Sequence, residues 1–242
     1  SLFDTFAHRY DLHTPPGHYQ HDHQLVLELA AEQRLDCRIL DVGCGTGVLI
    51  EKARKAGFDA RGFDLSEGMI AVARTRVPPN VVWVQRMQDF SEIDCYDLIV
   101  SMSWSIHYCT GEPELVDVLR RIQRALVPGG RMLLQVAHGQ NLRDDWMVDY
   151  EAGPDGEPKD VSLRFRFRRD RMVAGRLSAD YAYTCESRRE RLEEAHVLEG
   201  ADALLMARLF RVEGFTEPVI WNSWRRDVTL TNGSVFVTAV RS

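Results

Sequence analysis

The chain reads as an α/β protein: a doubly wound, mostly parallel, seven-stranded sheet carrying a small antiparallel β insertion. Three observations predict this. Between Cys37 and Val136, short apolar runs alternate with helical stretches. The first of these runs, Ile39-Leu40-Asp41-Val42, opens directly into Gly43-Cys44-Gly45-Thr46-Gly47. Beyond His138 the character changes, and Leu163-Arg164-Phe165-Arg166-Phe167-Arg168 alternates strictly between apolar and basic residues, the period of a two-faced strand.

The elements follow in order. After the first strand, residues 48–56 read as a helix closed by Gly57, since glycine is the usual C-terminal stop. Residues 60–63 form a second strand ending at Asp64, and Ser66 is placed to cap a helix through Ala73. Pro78-Pro79-Asn80 interrupts the chain. The β-branched and aromatic run Val81-Val82-Trp83-Val84 then predicts a third strand. Residues 96–100 and 131–136 supply the fourth and fifth. The helix between them, residues 112–126, stops at Val127-Pro128-Gly129-Gly130. Residues 141–160 are polar, with a turn cluster at Gly153-Pro154-Asp155-Gly156 and Pro158 close behind. Further strands are predicted at 177–183 and 189–198. A helix at 201–212 ends at Gly214, and a closing pair of strands at 217–221 and 234–240 is joined through Asn232-Gly233. Three segments result: residues 1–140 as amino-terminal cap helices and binding core, 141–198 as an antiparallel lid, and 199–242 as the end of the core.

Composition narrows the class. With 242 residues, 45% of them hydrophobic, the chain can bury one substantial core. A net charge of −6 argues against general binding to nucleic acid or an anionic membrane surface. Nowhere does an apolar run reach bilayer-spanning length. Ser1-Leu2-Phe3-Asp4 lacks the basic-then-apolar pattern of an export signal. The five cysteines include no Cys-x-x-Cys pair, so neither a disulfide framework nor a zinc site is expected, and a reducing cytoplasm is the expected compartment. Cys44, inside the glycine turn, is read as a small filler rather than a nucleophile.

The glycine turn lies where open α/β sheets bind ligands, at the carboxyl end of the first strand. Its glycines let the main chain approach a ligand closely, and Asp41 offers negative charge to a cationic group. A dinucleotide fingerprint, Gly-x-Gly-x-x-Gly, would need glycine at position 48; that residue is Val48, and the third glycine falls at Gly47. Asp64, ending the second strand, suits both hydroxyls of a ribose. Leu65 and Met69 are placed to cover one face of a base. The main chain near Met87 and Gln88, or the side chain of Asp89, is placed to read its edge.

Together, residues 39–50, 62–69, 85–90, 96–101 and 126–136 resemble a class I S-adenosylmethionine-dependent methyltransferase, in a Rossmann-like fold. That resemblance implies S-adenosyl-L-methionine as cofactor, with Asp41, Gly43, Cys44, Gly45 and Gly47 around its methionyl part, Asp64 at the ribose, and 86–89 as the adenine-edge loop. Arg86 departs from the acidic residue often found there. Ser101 main chain is expected at the cofactor's amino group. Phe6-Ala7-His8-Arg9-Tyr10-Asp11 resembles the family's segment that closes over the cofactor, so Tyr10 and Tyr19 are expected to cover it. An antiparallel insertion before the last helix resembles the lid of small-molecule methyltransferases, including those that dimethylate amino sugars.

In this family the acceptor approaches over the ends of the fourth and fifth strands. His107 and Tyr108, followed by His138, are the candidate bases or orienting groups, histidine because its unperturbed pKa of about 6.5 lies near neutrality. For His107 a second reading stands beside the first, in which the ring packs against the following helix and caps a carbonyl. Trp104 is expected to line the acceptor pocket with His107, Tyr108 and His138. No Asn-Pro-Pro-Tyr or Asp-Pro-Pro-Tyr follows the fourth strand, which disfavours nucleic-acid amino groups as acceptors. No metal site is expected: His8, His13, His18, His21 and His23 fit no usual ligand spacing. Arg164, Arg166 and Arg168 are expected to form the wet face of the lid. The expected reaction is in-line methyl transfer to nitrogen or oxygen of a small metabolite, of the kind found among natural-product or sugar intermediates, by a monomer or homodimer. A nicotinamide-dependent oxidoreductase and a non-catalytic cofactor-binding protein are the rival readings.

Overall fold

A computed structural model describes residues 1–14, 17–152 and 160–242. The predicted turn cluster at 153–158 lies outside the described residues.

Seven strands form the central sheet. In chain order they are β1 (Arg38–Val42), β2 (Asp59–Asp64), β3 (Val82–Val84), β4 (Tyr96–Ser101), β5 (Leu126–Ala137), then, after the insertion, β10 (Phe215–Trp221) and β11 (Ser234–Arg241). Their spatial order is β10-β11-β5-β4-β1-β2-β3. The pairs from β5 through β3 are parallel, whereas β11 runs antiparallel to both β5 and β10. The chain therefore leaves β1 in one direction for β2 and β3, and later returns on its other side through β4. Such a reversal opens a crevice beyond the strand ends, at β1 and β4.

Helices cover both faces because parallel strands are apolar on both. On one face lie α2 (Gln20–Gln33), α3 (Val48–Lys55) and α4 (Glu67–Arg76), whose Leu25, Ile50 and Ile70 pack with Ile39 and Leu98. On the other, α5 (Gly111–Ala125) and α6 (Ala203–Val212) bring Leu119 and Phe210 against Leu40 and Val42. Successive β1 residues thus point to opposite faces, as strand geometry requires. Ser66 caps α4 as its position predicts, its hydroxyl oxygen accepting from the Met69 amide at 3.0 Å.

The lid is a separate sheet of four antiparallel strands: β6 (Met147–Ala152), β7 (Val161–Arg169), β8 (Leu177–Cys185) and β9 (Glu190–Leu198). The sequence predicts the last three; β6 falls within the stretch 141–160 that reads as a polar connection, although Val148-Asp149-Tyr150-Glu151-Ala152 alternates at the period of a strand. Val127-Pro128-Gly129-Gly130, expected as a stop, instead forms a bulge inside β5, between the pairs Tyr96–Leu126 and Leu98–Arg131. On the outer face of the lid, Arg166 and Arg168 both pair with Asp180, at 3.2 and 2.8 Å, and the Arg164 guanidinium lies over the Trp146 ring.

The amino-terminal segment joins lid to core. A short helix α1 (Tyr10–His13) precedes α2. Leu2 is buried with Val161, Leu163 and Tyr183 of the lid, Arg9 forms an ion pair with Glu190, and the Ser66 hydroxyl donates to the Phe3 carbonyl of this segment. Among the described residues no helix is long and apolar enough to cross a membrane.

Gly62 is where close approach fixes a residue type. A Cβ there would lie 2.8 Å from the Asp41 carbonyl oxygen and 2.9 Å from Cys44 Cβ. Gly62→Ala should therefore cost about 1–3 kcal/mol, seen as a thermal midpoint lower by roughly 2–10 °C; an unchanged midpoint would show that the turn yields freely.

Candidate active site

The crevice is filled by a continuous cavity of about 940 Å³, at the upper end of the range for ligand pockets. One end lies over the carboxyl ends of β1, β2 and β3; the other runs beneath the lid.

The first end is built from backbone geometry. Amides of Gly43 and Cys44 donate to the Phe63 carbonyl, which ties the glycine turn to β2. Gly43 has φ +81°, and a Cβ there would come within 2.6 Å of Ser105 Cβ, so only glycine fits against the loop after β4. The Asp64 carboxylate is aimed by the Gly45 and Ser66 amides, both donating at 2.9 Å. Asp41 is buried, and its Oδ1 has no hydrogen-bond partner. Burial first, then the charge of Asp64, push the Asp41 pKa up to about 7. An unpartnered carboxylate in that position is costly unless a cation arrives. Asp64 is also raised, by burial, against the hydrogen bonds it accepts. A ligand with an ammonium group near Asp41 and a diol near Asp64 would satisfy both, and this donor set fits the amino-acid and ribose ends of S-adenosylmethionine.

Cys44, Leu65, Met69, Met87, Gln88, Tyr10 and Tyr19 all line the same cavity. Leu65 is exposed and Met69 buried. Gly47 and Ser101 are not among the lining residues. Gly47 sits behind the turn at the start of α3 with φ +77°, and Ser101 is buried with its hydroxyl donating to the Val42 carbonyl at 2.9 Å.

The second end is aromatic. Trp104 packs on Phe167 with ring centroids 4.8 Å apart, and its indole N–H donates to the Ser234 hydroxyl at 3.0 Å. Phe165, Tyr181 and Leu198 from the lid complete this wall. Ser103 and Trp104 are consecutive non-glycine residues in the left-handed region, with φ 50° and 65°, a conformation sustained only where surroundings enforce it. Gln135 provides that enforcement: its Oε1 accepts from the Ser103 amide and its Nε2 donates to Asp22, both at 2.9 Å. Nothing in the motif reading identified Gln135, although a polar residue within the apolar run Met132-Leu133-Leu134-Gln135-Val136 was a visible signal. Likewise Phe165 and Phe167 were legible as one strand face, without its direction.

Two of the three histidine and tyrosine candidates are corrected. His107 is fully buried and does not line the cavity. Its Nε2 accepts from the Ala137 amide and its Nδ1–H donates to the Glu199 carbonyl, both at 2.8 Å. The carbonyl-capping reading therefore holds, and the ring has no lone pair left for a substrate. His138 is also buried away from the cavity, with Nδ1 accepting from the Ala203 amide at the start of α6. Tyr108 does line the cavity, and its hydroxyl lies 2.5 Å from His196 Nδ1. Of the amino-terminal histidines, His18 and His23 line the cavity and His21 stacks on Trp224; the His13 side chain lies outside the described residues. His23 Nδ1 sits 3.1 Å from Lys52 Nζ. Burial, and then Lys52, push His23 down to about 4, which keeps it neutral.

Residues 39–130 match the family described as a methyltransferase domain. A protein of Geobacillus sp. (strain WCH70) described as a methyltransferase is 32% identical over 144 residues, 55% of this chain and 57% of that protein. The dTDP-3-amino-3,4,6-trideoxy-alpha-D-glucopyranose N,N-dimethyltransferase of Streptomyces venezuelae is 34% identical over 97 residues, 40% of this chain and 41% of that protein. The chain thus spans about half the length of the curated relatives it matches. An S-adenosylmethionine-dependent methyltransferase structure from Clostridium acetobutylicum superposes with a TM-score of 0.76 over 100% of both chains at 17% identity, a likeness of fold.

His107 makes a stability prediction. Its pKa is pushed from 6.5 down to about 4 by burial. A depressed histidine contributes stability above pH 6.5 that is lost as the pH falls toward about 4, here roughly 3 kcal/mol. His107→Ala should cost about 2–4 kcal/mol at neutral pH, by leaving the Ala137 amide and Glu199 carbonyl unpaired. It should also shrink the acid-induced loss; urea unfolding across that pH window checks both effects.

Residues 39–130 thus carry the match to a methyltransferase domain, and the strand order around them is a fold shared with a solved S-adenosylmethionine-dependent methyltransferase.

Proposed function

We propose that this protein transfers a methyl group from S-adenosylmethionine to nitrogen or oxygen of a small-molecule acceptor held beneath the lid. The observation that carries the reading is the continuity of the cavity. The Asp41–Asp64 end and the aromatic end form one space, so a donor bound at the first would face an acceptor bound at the second.

When bound, the cofactor supplies a methyl carbon on a positively charged sulfur, open to in-line attack by a lone pair. The chain's own residues bind, orient and exclude water. Asp41 takes the ammonium of the methionyl end, with Gly43, Cys44 and Gly45 allowing close backbone approach and Gly47 holding the turn. Asp64 accepts from the ribose hydroxyls. Leu65 and Met69 cover the adenine, Met87 and Gln88 meet its edge, and Tyr10 and Tyr19 close over it, while Ser101 supports the turn from below. Alignment of this kind is worth up to about 7–11 kcal/mol of barrier, and the lid with the amino-terminal segment keeps the site dry. Tyr108 is the group placed to receive the acceptor's proton.

The acceptor side of the cavity is walled by Trp104, Phe165, Phe167, Tyr181 and Leu198, with Gln135 and Ser234 as uncharged polar groups. That lining favours a ring-shaped neutral or amino-bearing acceptor. Relatives named as amino-sugar N,N-dimethyltransferases and as a ubiquinone-biosynthesis O-methyltransferase span both nitrogen and oxygen acceptors. Val48, where a dinucleotide site needs glycine, weighs against hydride chemistry with a nicotinamide.

Two measurements test the cofactor assignment. Asp64→Ala should weaken S-adenosylhomocysteine binding by about 10–100-fold in calorimetry; an unchanged affinity would sink the ribose assignment. Wild-type affinity should also fall as the pH drops through about 7, because protonating Asp41 removes the charge that faces the ligand ammonium. A flat profile would remove Asp41 from the site. Mass-spectrometric screening of amino-sugar and phenolic acceptors would then separate nitrogen from oxygen transfer.

A further inference from the structure

We propose that Tyr108, His196 and Glu194 form a proton relay that spans core and lid, with Tyr108 touching the acceptor and His196 and Glu194 acting as positioning residues behind it. This rests on the methyl-transfer reading above and deepens it.

The three side chains come from two separate elements. Tyr108 ends the 3₁₀ turn Ser105–Tyr108 that follows β4, while Glu194 and His196 lie on β9 of the lid. Alternation along β9 puts Glu194, His196 and Leu198 on one strand face, and Leu198 lines the cavity. The Tyr108 hydroxyl is 2.5 Å from His196 Nδ1, and His196 Nε2 is 3.5 Å from Glu194 Oε2. The carboxylate is in turn held by the Leu2 amide, which donates to Oε2 at 2.7 Å. Phe3 and Tyr181 pack edge-on against the His196 ring, with centroids 5.2 Å away in both cases, and so fix its plane. Tyr108 lines the same cavity as Tyr10 and Asp64.

Hydrogen bonding settles the resting protons. Burial holds the Tyr108 hydroxyl protonated, well above its ordinary value, so it donates to Nδ1. With Tyr108 donating to Nδ1, that nitrogen is the acceptor and the ring N–H lies at Nε2, 3.5 Å from Glu194 Oε2. This is the arrangement of a nucleophile or proton acceptor, a base and an orienting carboxylate, with tyrosine in the first position. In the working step the acceptor's N–H or O–H proton passes to Tyr108 Oη as the tyrosine's own proton passes to His196 Nδ1. The electron pair of the broken N–H or O–H bond stays on the acceptor as its attacking lone pair. The resulting imidazolium is stabilised by Glu194 and returns its proton to water. The relay exists only with the lid seated on the core, so closure and base assembly are one event.

The test needs neither donor nor acceptor. N-acetylimidazole acylates the tyrosine oxygen, and the rate at Tyr108, mapped by mass spectrometry against Tyr19 as internal reference, reports base assistance by His196. His196→Gln keeps a polar side chain of similar reach but cannot take the proton; it should slow Tyr108 acylation on the order of a hundredfold. Glu194→Gln should slow it in the same direction and serves as the second variant should His196→Gln misfold. In protein labelled with ¹⁵N-histidine, long-range ¹H–¹⁵N spectra should show His196 as the Nε2–H tautomer. Unchanged acylation in a folded variant, or a wild-type Nδ1–H tautomer, would overturn the relay. Failure of S-adenosylhomocysteine to bind would instead sink the methyl-transfer reading and leave both of these measurements standing.

Discussion

The constraint on which the rest depends is the position of β1 between β2 and β4. Because all three strands run parallel and the chain turns back at β1, the carboxyl ends of β1 and β4 face a crevice that no crossover fills. Asp41 is the residue that this arrangement strands. It sits where the ladder ends and the glycine turn begins, buried and with Oδ1 unpartnered. The neighbouring carboxylate of Asp64 makes the position still less comfortable for negative charge. A folded protein retains such a pair when a ligand supplies the missing charge and donors.

Around that centre the chain uses backbone hydrogen bonds more than side-chain chemistry to hold shape. The glycine turn hangs from the Phe63 carbonyl, and the Asp64 carboxylate is aimed by two amides. The loop after β4 is kept in left-handed geometry by Gln135 and by the His107 brace between Ala137 and Glu199. His107 thus ties the loop, the end of β5 and the junction to α6 together. Its value to the site is indirect: it places Tyr108, the next residue, at the cavity.

The lid and the amino-terminal segment complete the enclosure together. Leu2, Phe3 and Arg9 reach into the lid, while Asp11 bonds to Thr46 of the glycine turn and to Arg76 of α4. One segment therefore contacts both ends of the cavity. This joins ordering of the Asp41–Asp64 end to seating of the lid over the aromatic end, and both contacts shield the cavity from water.

Much of this was legible in the sequence because it is local. Strand periodicity, the spacing from Asp41 to Gly47 and the distance to Asp64 are properties of neighbouring residues, and they determined the sheet, the ligand end and the absence of a dinucleotide glycine at Val48. Ser66 as a cap and Phe165 and Phe167 as one face of a strand were local in the same sense. What only the tertiary structure decided concerns pairs distant in the chain. A histidine in a loop can be base or brace, and the choice fell to Ala137 and Glu199, 30 and 92 residues away. Tyr108 and His138 look alike as candidates in sequence; burial under α6 removed one, and β9 supplied the other with His196. Local pattern specifies which face and which turn each residue occupies. Which nitrogen lone pair remains free depends on contacts that form only when distant segments pack.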